Sequence, residues 1–228
     1  HVEVCNETGK LILPLSVDET VTRLIYRKEP KSEKNIILGQ RSNGINDLLN
    51  TGDIVNTMLK DCFTDVDIYN DEVRLLQYPF TSPISSRTAI SFYRYFIVDT
   101  LMVDGKQRCI QVDFTPNNPQ DFGFSGSLYI MADGTYRVYK ADMGIPVRSD
   151  VNFVQSMRII QTFDQLPTGE QVLVKDNMLV QLHITKSAGK FQVKRDTEYS
   201  NFAFEPIPDK TFKFTGETLT SANAQMQD

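Results

Sequence analysis

Two histidines, three scattered cysteines and no dense run of lysine or arginine deprive this 228-residue chain of most sequence-local chemistry. A structural zinc site takes four ligands. Cys5, Cys62 and Cys109 form no CxxC pair, and only His1 and His183 could join them, so no metal site is predicted. Three cysteines fit reduced buried thiols or one disulfide plus a spare, and the spacing leaves both open. Nucleic-acid binding needs a local basic surface. Here 24 basic residues face 29 acidic ones, and the nearest cluster, Arg27, Lys28, Lys31 and Lys34, is broken by Glu29 and Glu33. No apolar run reaches the roughly 18 residues of a membrane span, and no signal peptide is visible. The chain has no initiating methionine and reads as one domain, residues 1–228, of a longer protein.

Motifs that carry reactions are equally scarce. His183 falls on the polar side of a strand pattern, beside Gln181 and Thr185, as a surface histidine does. Ser187 and Lys190 match S-x-x-K, but that nucleophile motif should open a helix, and here it reads as a hairpin turn. DVDIYNDE (65–72) supplies Asp65, Asp67, Asp71 and Glu72, yet Tyr69 and Asn70 stand where a calcium loop needs a ligand and a glycine. GFSGS (123–127) lacks the spacing of a nucleophile elbow, and Gly126 inside a strand pattern marks a close backbone approach instead. No phosphate loop or dinucleotide fingerprint appears. The expectation is no catalytic residue and no cofactor. A remote hydrolase alternative would need acids such as Asp113 and Asp142 to converge in a pocket.

What the chain does contain is alternation. Hydrophobic residues make up 40% and charged residues 23%, and a chain of this length can bury roughly 70% of its unfolded surface without covalent staples. The Thr, Val, Ile and Tyr content of 11–30 favours an extended strand. GINDLLNTGDIVNTMLKDCF (44–63) repeats apolar residues at helical steps. PISSRTAISF (83–92) predicts a second short helix, with Ser82 as cap and Pro83 in its first turn. Beyond residue 92 the pattern becomes strands near 93–103, 107–115, 124–132, 135–143, 152–164, 170–185 and 189–204. Asp104-Gly105 and Asp133-Gly134 are type I′ hairpin signals; Asp176-Asn177 and Ser187-Ala188-Gly189 read as further turns. Ile110, Val112 and Phe114 share one face, as do Val172, Val174, Met178, Val180, Leu182 and Ile184. One apolar and one wet face imply an antiparallel sheet covered on a single side. The predicted fold is α+β, mainly β: a strongly curved antiparallel meander over 93–204, an open half-barrel, cradling one or two helices from 44–92, with a C-terminal tail at 205–228.

Four segments in this order, LPLSVDETVTRLIYRKEPKSEKNIILGQRSNGI (13–45), YNDEVRLLQYPFTSPISSRTAISFYRY (69–95), VDFTPNNPQDFGFSGSLYI (112–130) and VNFVQSMRIIQTF (151–163), carry a family likeness. The chain resembles the domain of unknown function that follows a carboxypeptidase-regulatory-like module in outer-membrane-associated proteins of Bacteroides-type Gram-negative bacteria. The likeness implies the periplasmic side of the outer membrane, a neighbouring regulatory-like module and a β-barrel in the same chain, with no peptidase activity. At fold level alone, the helix-in-sheet pattern is similar to the LolA/LolB lipoprotein carriers.

Two non-enzymatic roles follow as expectations. One is a periplasmic module acting in envelope assembly, docking or transport by protein contacts, with Tyr78, Pro79, Phe80 and Pro83 as the interaction patch. The other is lipid or lipoprotein binding, an acyl chain lying on Phe114, Phe124, Leu128, Ile130, Tyr136 and Val138. Against each stands burial within the chain's own core.

Overall fold

The computed structural model describes residues 4–5, 11–12, 16–44, 64–75, 78–85, 87–145, 154–183, 190–212 and 219–220. Where the sequence suggests one domain, the contacts separate two units, His1–Asn56 with Ala203–Asp228, and Thr57–Phe202.

In the first unit, short strands β1 (Val4–Cys5) and β2 (Leu11–Ile12) pair antiparallel. A long hairpin follows, β3 (Ser16–Arg27) and β4 (Ser32–Gly44). Its β-branched content suits an extended ladder, as expected for 11–30. The segment expected to be a tail also contributes to this unit. A 3₁₀ turn at Asp209–Phe212 sets the Phe212 ring 4.8 Å from the Arg27 guanidinium, and Thr211 O accepts from Lys34 Nζ at 3.1 Å.

The second unit is built on seven strands: β7 (Tyr93–Val103), β8 (Gln107–Pro116), β9 (Ser125–Met131), β10 (Val138–Ile145), β11 (Val154–Gln165), β12 (Gln171–His183) and β13 (Lys190–Glu198). Their spatial order, β13-β12-β11-β10-β9-β8-β7, is the chain order, and every pair is antiparallel. The protein is therefore mainly β, and among the described residues the two end strands do not pair to close a barrel. The first hairpin is made as its sequence predicts. Asp104 and Gly105 both have positive φ, 52° and 65°, and Lys106 N–H donates to Val103 O at 3.0 Å. The second differs. Positive φ falls on Gly134 and Tyr136, and the Asp133 carboxylate holds the Thr135 N–H at 2.9 Å. The longer loop delays β10 to Val138, three residues later than predicted.

Residues 64–92 cover one face of this sheet. They include a hairpin, β5 (Glu72–Leu75) with β6 (Tyr78–Thr81), and a single helical turn, α1 (Ala89–Phe92). The predicted helix over 83–92 is thus reduced to its last four residues. Ser82 does not cap it: fully buried, its Oγ donates to Ile68 O and accepts the Ile84 N–H. Tyr93 and Tyr95 hydroxyls donate to Thr81 O and Pro83 O, at 2.5 and 2.7 Å, and hold this stretch in a turn closed by the Ser85 N–H on Ser82 O. Helical propensity is weak beside such tertiary bonds. The helix predicted at 44–63 lies outside the described residues, apart from Gly44 at the end of β4. Val66, Ile68, Leu75, Phe80 and Ala89 bury against Phe114, Leu128, Met157 and Met178 of the sheet. Burying one such side chain stabilises by about 1.5–3 kcal/mol.

Candidate functional site

The apolar sheet face comes first, because ligand binding is predicted there. Phe114, Phe124, Leu128 and Val138 are buried in the core cluster, and Ile130 packs against it half-buried. Tyr136 is apart from them, 69% exposed in the β9–β10 loop, where its positive φ turns it out of the strand pattern. The predicted interaction patch divides as well. Phe80 is fully buried, its ring 5.0 Å from that of Phe124. Pro83 is buried, Tyr78 is half-buried and stacked on Phe122 at 4.8 Å, and Pro79 is exposed. These four lie on β6 and just beyond it, rather than at a helix entry.

The opposite face carries a polar row. Asp113 of β8 and Asp142 of β10 both stand opposite Ser127 of β9, two strand spacings or about 9–10 Å apart along the backbone. Asp113 accepts from Ser127 Oγ at 2.7 Å and Gln111 Nε2 at 2.9 Å. Asp142 is gripped by both forks of Arg158, at 2.9 and 2.7 Å. The two acids share a row, each with its own partner. Beside them, a Cβ at Gly126 would lie 1.9 Å from the Asp142 carbonyl oxygen, so the close approach predicted for that glycine is real. A cleft of about 230 Å³ near the strand ends is lined by Gln107, Arg137, Tyr139, Asp164 and Gln171 among others. That is smaller than a usual small-molecule site.

A charged network inside the unit has no counterpart in the sequence analysis. Asp176, expected in a turn, lies mid-strand on the apolar face of β12 and is 2% exposed. Its Oδ2 meets Arg195 Nη2 of β13 at 2.6 Å, and its Oδ1 accepts from Gln161 Nε2 of β11 at 3.0 Å. The same Gln161 nitrogen donates to Val66 O at 2.7 Å, and Arg195 Nη1 reaches Asp65 at 3.3 Å. A buried carboxylate is tolerated only when paired and hydrogen-bonded. Here the pairing also ties the covering segment to three strands.

Among the described residues of this unit, the edge strand β7 exposes a run of apolar side chains. Phe96, Ile97, Val98 and Met102 are 54, 80, 54 and 56% exposed, and among the described residues β7 pairs only with β8. Natural edges are blunted by lysine, proline or charge. The other edge follows that rule, since β13 carries Lys190, Lys194, Arg195, Asp196 and Glu198. β7 has neither lysine nor proline.

Comparison with known families matches residues 5–202 to a family of unknown function, DUF5686. The chain belongs to the DUF5686 family. No curated protein and no solved structure matches it. For this DUF5686 chain the family is a kinship without an assigned activity, so the physical features above carry the functional case. The predicted open meander already leaves its first strand at an edge; the exposure of the apolar side chains there could not be read from the sequence, because it depends on what packs against each face. The buried acid of this DUF5686 member was missed for a related reason: Asp-Asn is turn chemistry locally, and its partner Arg195 arrives from the next strand. Burial also leaves its mark on the titratable groups. Desolvation pushes the Tyr93 hydroxyl well above the usual tyrosine range, partly opposed by the Phe124 N–H bond. It pushes the Cys109 thiol up too, helped by Asp104 and Asp133.

Proposed function

We propose that this DUF5686 chain is a non-enzymatic module on the periplasmic side of the outer membrane, acting by protein contacts in envelope assembly, docking or transport. The observation that carries the contact role is the β7 edge, where four exposed apolar side chains adjoin a row of backbone groups that no further strand pairs with among the described residues. Strand addition to such an edge gains main-chain hydrogen bonds and side-chain contacts together. In the full protein the module would follow a regulatory-like domain and precede a β-barrel, with its sheet curved as an open half-barrel of the lipoprotein-carrier kind. The partnered state of Asp113 and Asp142 supports a role without bond-making.

A second role, holding a lipid acyl chain, is favoured by one observation. Ile97 stands opposite Val112, on the side of the sheet that carries Phe114, and yet is 80% exposed. The test is a photo-cross-linking amino acid placed in the full-length protein in its own cells, at Ile97 and at the exposed Lys175 on β12. The contact role predicts adducts of fixed protein mass from Ile97, in the envelope fraction, and none from Lys175. A lipid adduct from Ile97 would favour acyl-chain binding, and the absence of any site-specific adduct would overturn both.

A further inference from the structure

We propose that the occupant of the β7 edge is β7 of a second copy of this chain, paired antiparallel about a twofold axis at Phe96. The proposal rests on the contact role assigned above and names its partner. The evidence is the distribution of charge along the strand once its bulge is taken into account. In the ladder with β8, Arg94 stands opposite Thr115, Phe96 opposite Asp113 and Asp99 opposite Gln111, while Val98 is the extra residue in the register shift between Ile97 and Asp99. Arg94, Phe96 and Asp99 therefore occupy alternate rungs and share one face, with Phe96 at the midpoint. Without the bulge, Asp99 would fall on the other face.

That spacing is self-complementary. In an antiparallel pair, side chains directly opposite one another lie on the same face. Centring two copies on Phe96 sets the two phenylalanines together and brings each Arg94 opposite Asp99 of the second copy. A twofold pairing repeats each contact, so two ion pairs flank one aromatic contact. These are the only charged residues of β7. Among the described residues neither forms an ion pair within its own chain. Arg94 is held by Asn117 through Nε and Nη2, at 3.1 and 2.9 Å, and Asp99 Oδ1 accepts only the N–H of Thr100. Both are exposed. On the other face the pairing would set Ile97 opposite Tyr95 of the second copy and bury further apolar surface.

The experiment is sedimentation equilibrium of the 228-residue chain, unaltered and with Arg94→Asp, Asp99→Arg and both changes together. The unaltered chain should dimerise. Each single change places like charges opposite one another twice and should weaken the dimer by at least about tenfold, since like-charge contacts across an interface are strongly disfavoured. The double change exchanges the charges and should restore the dimer. In an equimolar mixture of the two single variants, a heterodimer would set the two carboxylates of one copy, at positions 94 and 99, against the two guanidinium groups of the other, so opposite charges meet at both rungs and the mixture should dimerise. That rescue also shows both variants to be folded. A monomer at the highest soluble concentration, or a dimer indifferent to all four arrangements, overturns the proposal. The Ile97 cross-linking result separates the two levels: a heterologous protein adduct with a monomeric chain defeats self-pairing and leaves the contact role standing, whereas no adduct and no dimer defeats both.

Discussion

Replacing Arg195 by alanine should be among the most damaging single changes available in the sheet unit. The substitution removes the guanidinium 2.6 Å from a carboxylate that is 2% exposed. Asp176 would keep one hydrogen bond, from Gln161, for a full charge out of contact with water. Breaking a buried ion pair from one side costs about 3–5 kcal/mol, a large part of the roughly 5–15 kcal/mol that holds a typical domain together. The second arm of Arg195 adds little, because Asp65 is 83% exposed and an exposed pair contributes about 0–1 kcal/mol. Asp65→Asn should therefore be nearly silent. Replacing both buried partners with apolar residues, Asp176→Leu with Arg195→Met, should cost less than Arg195→Ala alone, since no orphaned charge remains. Urea unfolding followed by far-ultraviolet circular dichroism reads all three variants; the chain has no tryptophan for fluorescence. A loss below about 1 kcal/mol for Arg195→Ala, or a double variant weaker than the single, would refute the role given to the pair.

Phe80→Ala should cost about 3–5 kcal/mol, as for other fully buried phenylalanines, and the same unfolding measurement checks it; a folded chain of unchanged stability would return Phe80 to the surface. Gly126→Ala forces a Cβ against the Asp142 carbonyl and should cost about 3 kcal/mol or more, with lost amide protection in β9 and β10 seen by hydrogen exchange. Tyr93 has a folded-state pKa raised above its unfolded value, so its contribution is complete below about pH 10 and is lost as pH climbs beyond that. Tyr93→Phe should be less stable at neutral pH by about 1–3 kcal/mol, having orphaned the Phe124 N–H, and should lose less stability between neutral and strongly alkaline pH. Cys109 is fully buried with a raised thiol pKa; with Cys5 and Cys62 changed to serine, a thiol reagent should label it only after unfolding, and rapid native labelling would contradict its burial.

Strand existence and order in the second unit were legible because each strand pairs with its chain neighbour, so local alternation and turn residues contain most of the information. Asp104-Gly105 is the clearest case: two residues that tolerate positive φ adopt it. Asp133-Gly134 marks its hairpin but misplaces the turn by selecting the wrong residue, since Tyr136 rather than Asp133 takes the left-handed backbone. Ser82 and Pro83 look like a helix start, yet the hydroxyls of Tyr93 and Tyr95 claim the carbonyls around them. Of the candidate sites, Phe114, Phe124, Leu128 and Val138 lie in the core cluster with residues of segment 64–92. The Asp176 network was illegible because it depends on register between strands; the predicted meander put β7 at an edge, but the exposure of its apolar side chains depends on what packs against each face.

The bond from Gln161 to Val66 joins residues 95 positions apart, and it implies an order of events during synthesis. Segment 64–92, which covers the sheet, leaves the ribosome before any strand it will cover. Val66, Ile68 and Phe80 must wait in water, or on a chaperone, until β11 delivers Gln161 and β13 delivers Arg195. A chain halted before residue 154 would carry an apolar cover with only part of its sheet to close upon. Vulnerability to aggregation should therefore peak late in translation, and fall when the last strand locks the first segment down.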